Sequence, residues 1–235
     1  MRLAKSSLVL VLALAGSPLV ASVDAGVARA DDPAAPAAPL PPVDSVVTQV
    51  QEFYNKTGSF QSDFQQTFLV KAYNATKRSH GRVVFVKPGK MDWTYAEPAG
   101  NRVVSDGTTL RVYEAANKQL YEQAVSGSQY PAALSFLTGQ GQLSSSFDFE
   151  LRPGEGPLGF PGGYVLVGTP KTPTAAYSKV LFYVDKQSMQ IRSVLILDGQ
   201  GNRNRFDFLN PSVNAHVDPN QFVFIPPPDT TVVRP

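Results

Sequence analysis

RVVFVKPGKMDWTYAEPAGNRVVSDGTTLRVYE, residues 82–114, carries three or four strands in succession. Breaks fall at Pro88-Gly89, Pro98-Ala99-Gly100 and Asp106-Gly107, residues that set turns and stop strands. Side chains alternate faces along a strand. Met91, Trp93 and Tyr95 therefore share one face, and Asp92, Thr94 and Ala96 the other. A Trp beside a Tyr, flanked by further apolar strands, makes a broad aromatic surface. No evident catalytic group accompanies it. The stretch points to a protein that holds something apolar rather than one that transforms it.

Outward from this stretch the same period continues. Residues 59–70 form a long half-buried strand: Phe60, Phe64, Phe68 and Val70 lie on one face, Gln61, Asp63, Gln65 and Thr67 on the other. Further strands are expected at about 78–87, 90–96, 101–105, 109–114, 118–125, 147–152, 163–169, 177–186, 190–198 and 203–209. Two segments break the pattern. In residues 43–57, Val43, Val46, Val47, Val50 and Tyr54 follow helical spacing, with Asp44 as N-cap and Gly58 as stop. Residues 130–139 open on Pro131 and close on Gly139, with Leu134, Phe136 and Leu137 between them, the pattern of a short apolar helix. About ten strands cannot be covered by two short helices if the sheet is flat, so the sheet is expected to curl into an incomplete barrel with a cavity inside.

The first 30 residues are expected to be a secretory signal peptide: Arg2 and Lys5, an apolar run Leu8–Leu14, then Ala28-Arg29-Ala30 as the cleavage site, with Ala21 or Ala25 as alternatives. Residues 31–42, DDPAAPAAPLPP, read as a Pro/Ala-rich disordered tether, and 43–235 as one domain. No second run of about 20 apolar residues suits a membrane span. The sequence has no Cys, which excludes disulfides and a lipidated Cys. Its formal charge is +2, from 21 basic and 19 acidic residues. A leader with Arg2, Lys5 and Arg29 against Asp24 leaves the two signs equal. That balance argues against nucleic acid and against strong attraction to anionic membrane surfaces.

Several of these stretches resemble the periplasmic lipoprotein-carrier family LolA. They are Phe85-Val86-Lys87-Pro88-Gly89, the Trp strand Met91–Tyr95, Pro98, and Val104-Ser105-Asp106-Gly107 before Leu110–Tyr113. Phe60–Gln66 (FQSDFQQ) and the ending QFVFIPPP at 221–228 complete the order. The resemblance implies an open antiparallel half-barrel of about eleven strands, mainly β with some α, and a helical lid over an apolar cavity. It implies carriage of acylated lipoproteins from the inner to the outer membrane, loading by an inner-membrane ABC transporter, and delivery to an outer-membrane receptor. The implied compartment is the periplasm, with a monomer, no cofactor and no catalytic residue. The family pattern places before the Pro an Arg that bonds the lid. Lys87 stands there instead, and only Lys87 or Lys90 can take its part, without a guanidinium's planar fork.

The cavity lining implied is Phe64, Phe68, Phe85, Met91, Trp93, Tyr95, Leu110 and Val112. The lid residues are Val47, Val50, Leu134, Phe136 and Leu137. By pattern alone the same side chains serve equally as ordinary core. Asp106 and Asp198 precede glycines and read as turn residues. His80 and His216, the two histidines, have no Cys or acidic cluster beside them, so no metal site is expected. The Gly/Pro-rich 153–163 opens no helix and is no phosphate cradle. The alternatives to a carrier are a half-barrel sensor or binding protein of the cell envelope with another lipid or protein ligand, and, less favoured by the residues, an esterase.

Overall fold

The computed structural model describes residues 39–125 and 141–234. A single helix, α1 (Val43–Lys56), precedes eleven strands in chain order. They are β1 (Ser59–Val70), β2 (Ala75–Val86), β3 (Lys90–Glu97), β4 (Arg102–Asp106), β5 (Thr109–Glu114), β6 (Gln119–Ala124), β7 (Phe147–Pro153), β8 (Gly163–Pro170), β9 (Lys179–Asp185), β10 (Ile191–Leu197) and β11 (Arg203–Val213). A one-turn helix, α2 (Leu143–Ser146), leads into β7, and a short β12 (Thr231–Val233) ends the order. The 153–163 loop holds one 3-10 turn, Gly156–Leu158.

All twelve strands join one open sheet, in the order β12-β6-β5-β4-β3-β2-β1-β11-β10-β9-β8-β7. Every neighbouring pair is antiparallel except the last added, since β12 runs parallel to β6. The strand expectations hold to within a few residues, and the half-barrel class holds with them. The differences are the twelfth strand, an earlier start of β2 and a longer β11. The pairing of β1 with β11 joins the first half of the chain to the second.

In α1 the expected stripe is buried at Val46, Val47, Val50 and Tyr54, while Val43 is half-buried. The expected cap is corrected. Pro42 is the N-cap residue and no side chain caps the helix; Asp44 lies inside the first turn. There its carboxylate still suits the positive end of the helix dipole, and Pro42 O accepts from Ser45 N at 3.1 Å. The helix ends at Thr57, whose Oγ1 donates to Phe53 O at 2.9 Å. The expected helix 130–139, with Leu134, Phe136 and Leu137, lies outside the described residues, as do the proposed leader and most of the tether.

Both faces of the sheet centre are covered, which the alternating reading did not foresee. Val84 and Val104 on the Asp92 side pack with Phe222, and Val86, Val217 and Phe224 flank them. The chain after β11 crosses this face as a strap. Asp92, placed by alternation on the second face, is buried to 1% exposure beneath it. Arg102 grips its carboxylate with two bonds of 2.9 Å and donates a third, of 2.7 Å, to Gln221 O. Gln221 Nε2 donates to the same carboxylate. A buried charge so bonded is satisfied rather than stranded.

Candidate functional site

The register stacks the predicted cavity residues in rows across β1 to β5. Residues paired across neighbouring strands point the same way. One row runs Phe60, Phe85, Met91, Ser105 and Leu110; the next runs Ser62, Val83, Trp93, Val103 and Val112; a third holds Phe64, Gly81 and Tyr95. Phe64, Phe85, Met91, Trp93, Tyr95, Leu110 and Val112 thus share one face, all at 7% exposure or less. Phe68 belongs to the same face at the far end of β1 and is half-buried. Val47 and Val50 are buried on α1.

The aromatic surface extends beyond these residues. Phe206 and Phe208 of β11 join it, with ring centroids 5.2 and 6.3 Å from Trp93. Phe64 meets Trp93 edge-on at 4.9 Å, and Phe85 meets it at 5.8 Å. Such edge-to-face pairs add about 0.5–1.5 kcal/mol each beyond their burial. Phe206 and Phe208 were absent from the sequence reading of the site, although their alternation in RFDFL was the available signal. Farther along the sheet the face continues through Val194, Phe182 and Leu166, paired in register and all fully buried. Gly81 makes room for this packing. A Cβ there would lie 2.1 Å from Thr94 O and 3.0 Å from the Phe64 ring. Trp93 Nε1 is the one buried side-chain polar atom among the described residues without a hydrogen-bond partner.

The two turn motifs meet at one end of the sheet. Ser105 Oγ donates to Gly89 O at 3.1 Å and accepts from Gly107 N at 3.1 Å. Gly107 has φ +102°, and a Cβ on it would sit 3.2 Å from Pro88 O. These contacts tie the Pro-Gly turn to the Ser-Asp-Gly turn. Asp106 Oδ1 accepts from Thr108 N, Thr108 Oγ1 and Thr109 N, at 2.7–2.9 Å, and Arg111 binds Oδ2 at 2.9 Å. Partial burial pushes its pKa up, but the Thr109 and Thr108 donors and Arg111 outweigh that and hold it well below the ordinary 3.8. A depressed carboxylate stabilises the fold above its ordinary pKa and loses that contribution as pH falls toward the folded value. Asp106→Asn is therefore expected to flatten the loss of stability on acidification below about pH 4, read by denaturant midpoints across pH. An unchanged acid slope would refute the role. Asp198 likewise serves its own turn, accepting from Gln200 N and Asn202 N, each at 2.9 Å.

At the same end α1 is tied to the sheet. Lys87 Nζ donates to Tyr54 O, and Lys87 N donates to Gly58 O at 3.0 Å. Tyr54 Oη accepts from Ile191 N at 3.1 Å, and complete burial pushes this phenol's pKa up. Desolvation lowers the pKa of Lys87. Lys87 is thus the residue that reaches the helix; Lys90 instead lies over the Phe222 ring at 5.8 Å. One cation near the C-terminal carbonyls of a helix is also favoured by its dipole.

A groove of about 460 Å³ opens on the Asp92 face, lined by Asp63, Gln65, His80, Arg82, Thr94 and Leu209 among others. It lies opposite the aromatic surface. Among the described residues no group of three His, Cys, Asp or Glu side chains is placed to hold a metal. No described helix is long and apolar enough to cross a membrane.

An open antiparallel sheet, one face aromatic and the other strapped by the C-terminal segment, defines the class of the open half-barrels. Within that class, the chain belongs to the outer membrane lipoprotein carrier protein LolA family, whose model matches residues 55–225. It is 27% identical over 189 residues to the outer-membrane lipoprotein carrier protein of Chromobacterium violaceum, covering 80% of this chain and 87% of that protein. It is 26% identical over 200 residues to the protein of the same name from Nitrosomonas europaea, covering 83% and 92%. Among solved structures, an uncharacterised conserved protein from Thermus thermophilus superposes with TM-score 0.52 at 15% identity, covering 82% of this chain and 98% of that one. That likeness concerns the fold alone.

Proposed function

We propose that this protein is a periplasmic carrier that takes the acyl chains of lipoproteins against its aromatic face and moves them from the inner to the outer membrane. The observation that carries the reading is the continuous apolar face from Leu110 across Trp93 to Leu166, in a chain of the lipoprotein-carrier family. The role is binding rather than catalysis. Loading would come from an inner-membrane ABC transporter, and an outer-membrane receptor would accept the cargo.

The energetics favour such a division of labour. Each buried methylene gains roughly 0.8 kcal/mol, but the bilayer offers the same gain. Transfer from membrane to carrier is then near balance and needs an external energy source. The face is packed shut, with Trp93 and Leu110 at 0% exposure. Cargo must therefore exchange with side chains already there. Helix α1, held by Lys87 and by the Tyr54–Ile191 bond, is the element we assign to move. The empty form is closed and the loaded form open.

Native mass spectrometry of the mature protein with a triacylated lipopeptide tests this. The expected result is a 1:1 complex that the deacylated peptide does not form. Phe68→Glu, at the half-buried end of the face, should weaken it without unfolding the protein. Equal binding of both peptides would overturn the acyl-chain reading.

A further inference from the structure

We propose that the tip of the β1–β2 hairpin is a docking element for the anionic phospholipid headgroup surface of a bilayer. The inference goes beyond the carrier reading and does not depend on what cargo is held. Each of these strands has twelve residues, and they are joined by a 3-10 turn, Lys71–Tyr73, closed by Asn74 at φ +46°. Tyr73 is 83% exposed at the tip. An aromatic ring with a polar end is suited to the headgroup layer of a membrane.

Four cations surround it. Lys77 pairs in register with Phe68, Arg78 with Thr67 and Arg203 with Leu69. Lys71 lies against Gly201 of the neighbouring β10–β11 turn, where a Cβ would meet its Nζ at 3.1 Å. None of Lys71, Lys77, Arg78 or Arg203 forms an ion pair among the described residues. Of the carboxylates nearby, Asp207 is neutralised by Arg205 at 2.8 Å, whereas Asp198, held by its turn amides, keeps one negative charge against the four cations. Glu97 stands opposite His80, farther down β2. A chain with balanced overall charge thus gathers net positive charge at one place. Net neutrality argues against membrane attraction only when the charges are mixed.

The aromatic face loosens at this same end. Phe60 and Phe64 are 1% exposed, whereas Phe68, beside Lys77, is half-buried. The opposite end is the one fastened by Lys87 and Tyr54. Docking by the tip would bring the looser end of the apolar face toward lipid. The chemistry favours a headgroup layer over an acidic protein. Flexible cationic stems around one exposed ring suit a fluid surface that needs no shape complement, and each cation near anionic lipid strengthens attachment about fivefold.

Flotation of the mature protein, without lipoprotein, on phosphatidylcholine vesicles with and without one-third phosphatidylglycerol tests this. Binding should require the anionic lipid and disappear in high salt. Lys77→Glu/Arg78→Glu should reduce partitioning by about tenfold or more, and Tyr73→Ser by a few-fold. Lys56→Glu/Lys186→Glu, at the other end of the sheet, should leave it unchanged. Circular dichroism checks that the exposed substitutions leave the fold intact. No binding to anionic vesicles, or equal loss in the control pair, would overturn the proposal. Because no lipopeptide is present, that failure would leave the acyl-chain complex to its own test.

Discussion

Trp93→Ala is expected to lower the free energy of unfolding by about 3–5 kcal/mol, measured by urea denaturation followed in the far ultraviolet. The indole is fully buried and meets Phe64, Phe85, Phe206 and Phe208. Truncation removes its transfer free energy and leaves a cavity whose walls are rings paired across strands, which collapse poorly. The unbonded Nε1 reduces the stabilisation that Trp93 itself supplies, because a buried donor without a partner costs about 1–3 kcal/mol. Trp93→Phe should therefore be far milder than Trp93→Ala. If the Ala variant lost less than about 1 kcal/mol, the face would be open in solution rather than packed, and the closed empty form would be wrong.

Asp92→Ala should cost about 2–4 kcal/mol, somewhat below the loss for a fully buried pair. Asp92 is 1% exposed, but Arg102 keeps 25% of its side-chain surface, so water partly compensates the cation left behind. The substitution removes the acceptor of Arg102 and of Gln221 together, and so frees the strap where Phe222 covers Val84 and Val104. Limited proteolysis should then cut faster near residues 214–225 than it does in the wild type. Replacing both charges, as Asp92→Leu/Arg102→Leu, should cost less than the single change, because no stranded charge remains. A double variant weaker than the single one would show that the pair stabilises in its own right.

The sheet was legible because its strands announce themselves by alternation and by the Pro-Gly and Asp-Gly breaks. The rows from Phe60 to Leu110 and from Val83 to Val112 follow once those strands pair as neighbours. The strap was not legible, since its bond from Gln221 to Asp92 spans 129 positions, and one Asp in an alternating strand looks solvated. A clue stood in Val83-Val84-Phe85-Val86 and Val103-Val104. Runs apolar at every position signal a strand covered on both faces. The parallel β12 left no trace, being three exposed residues paired to β6 across a long separation. The N-cap expectation at Asp44 failed because a nearby acidic residue and a true cap share the same composition; the helix begins directly after Pro42. Lys87 was legible as a substitute for the expected Arg, though its acceptor, a helix carbonyl, was not.

Trp93 is the single tryptophan of the sequence, and it sits at the middle of the aromatic face. Its near-ultraviolet emission therefore comes from that one place, against no background from a second indole. In the packed state it should emit far to the blue. Any event that parts Trp93 from Phe64 and Phe206, or gives its N–H a partner, changes that light. The protein carries its own optical gauge of opening, readable in real time without a label.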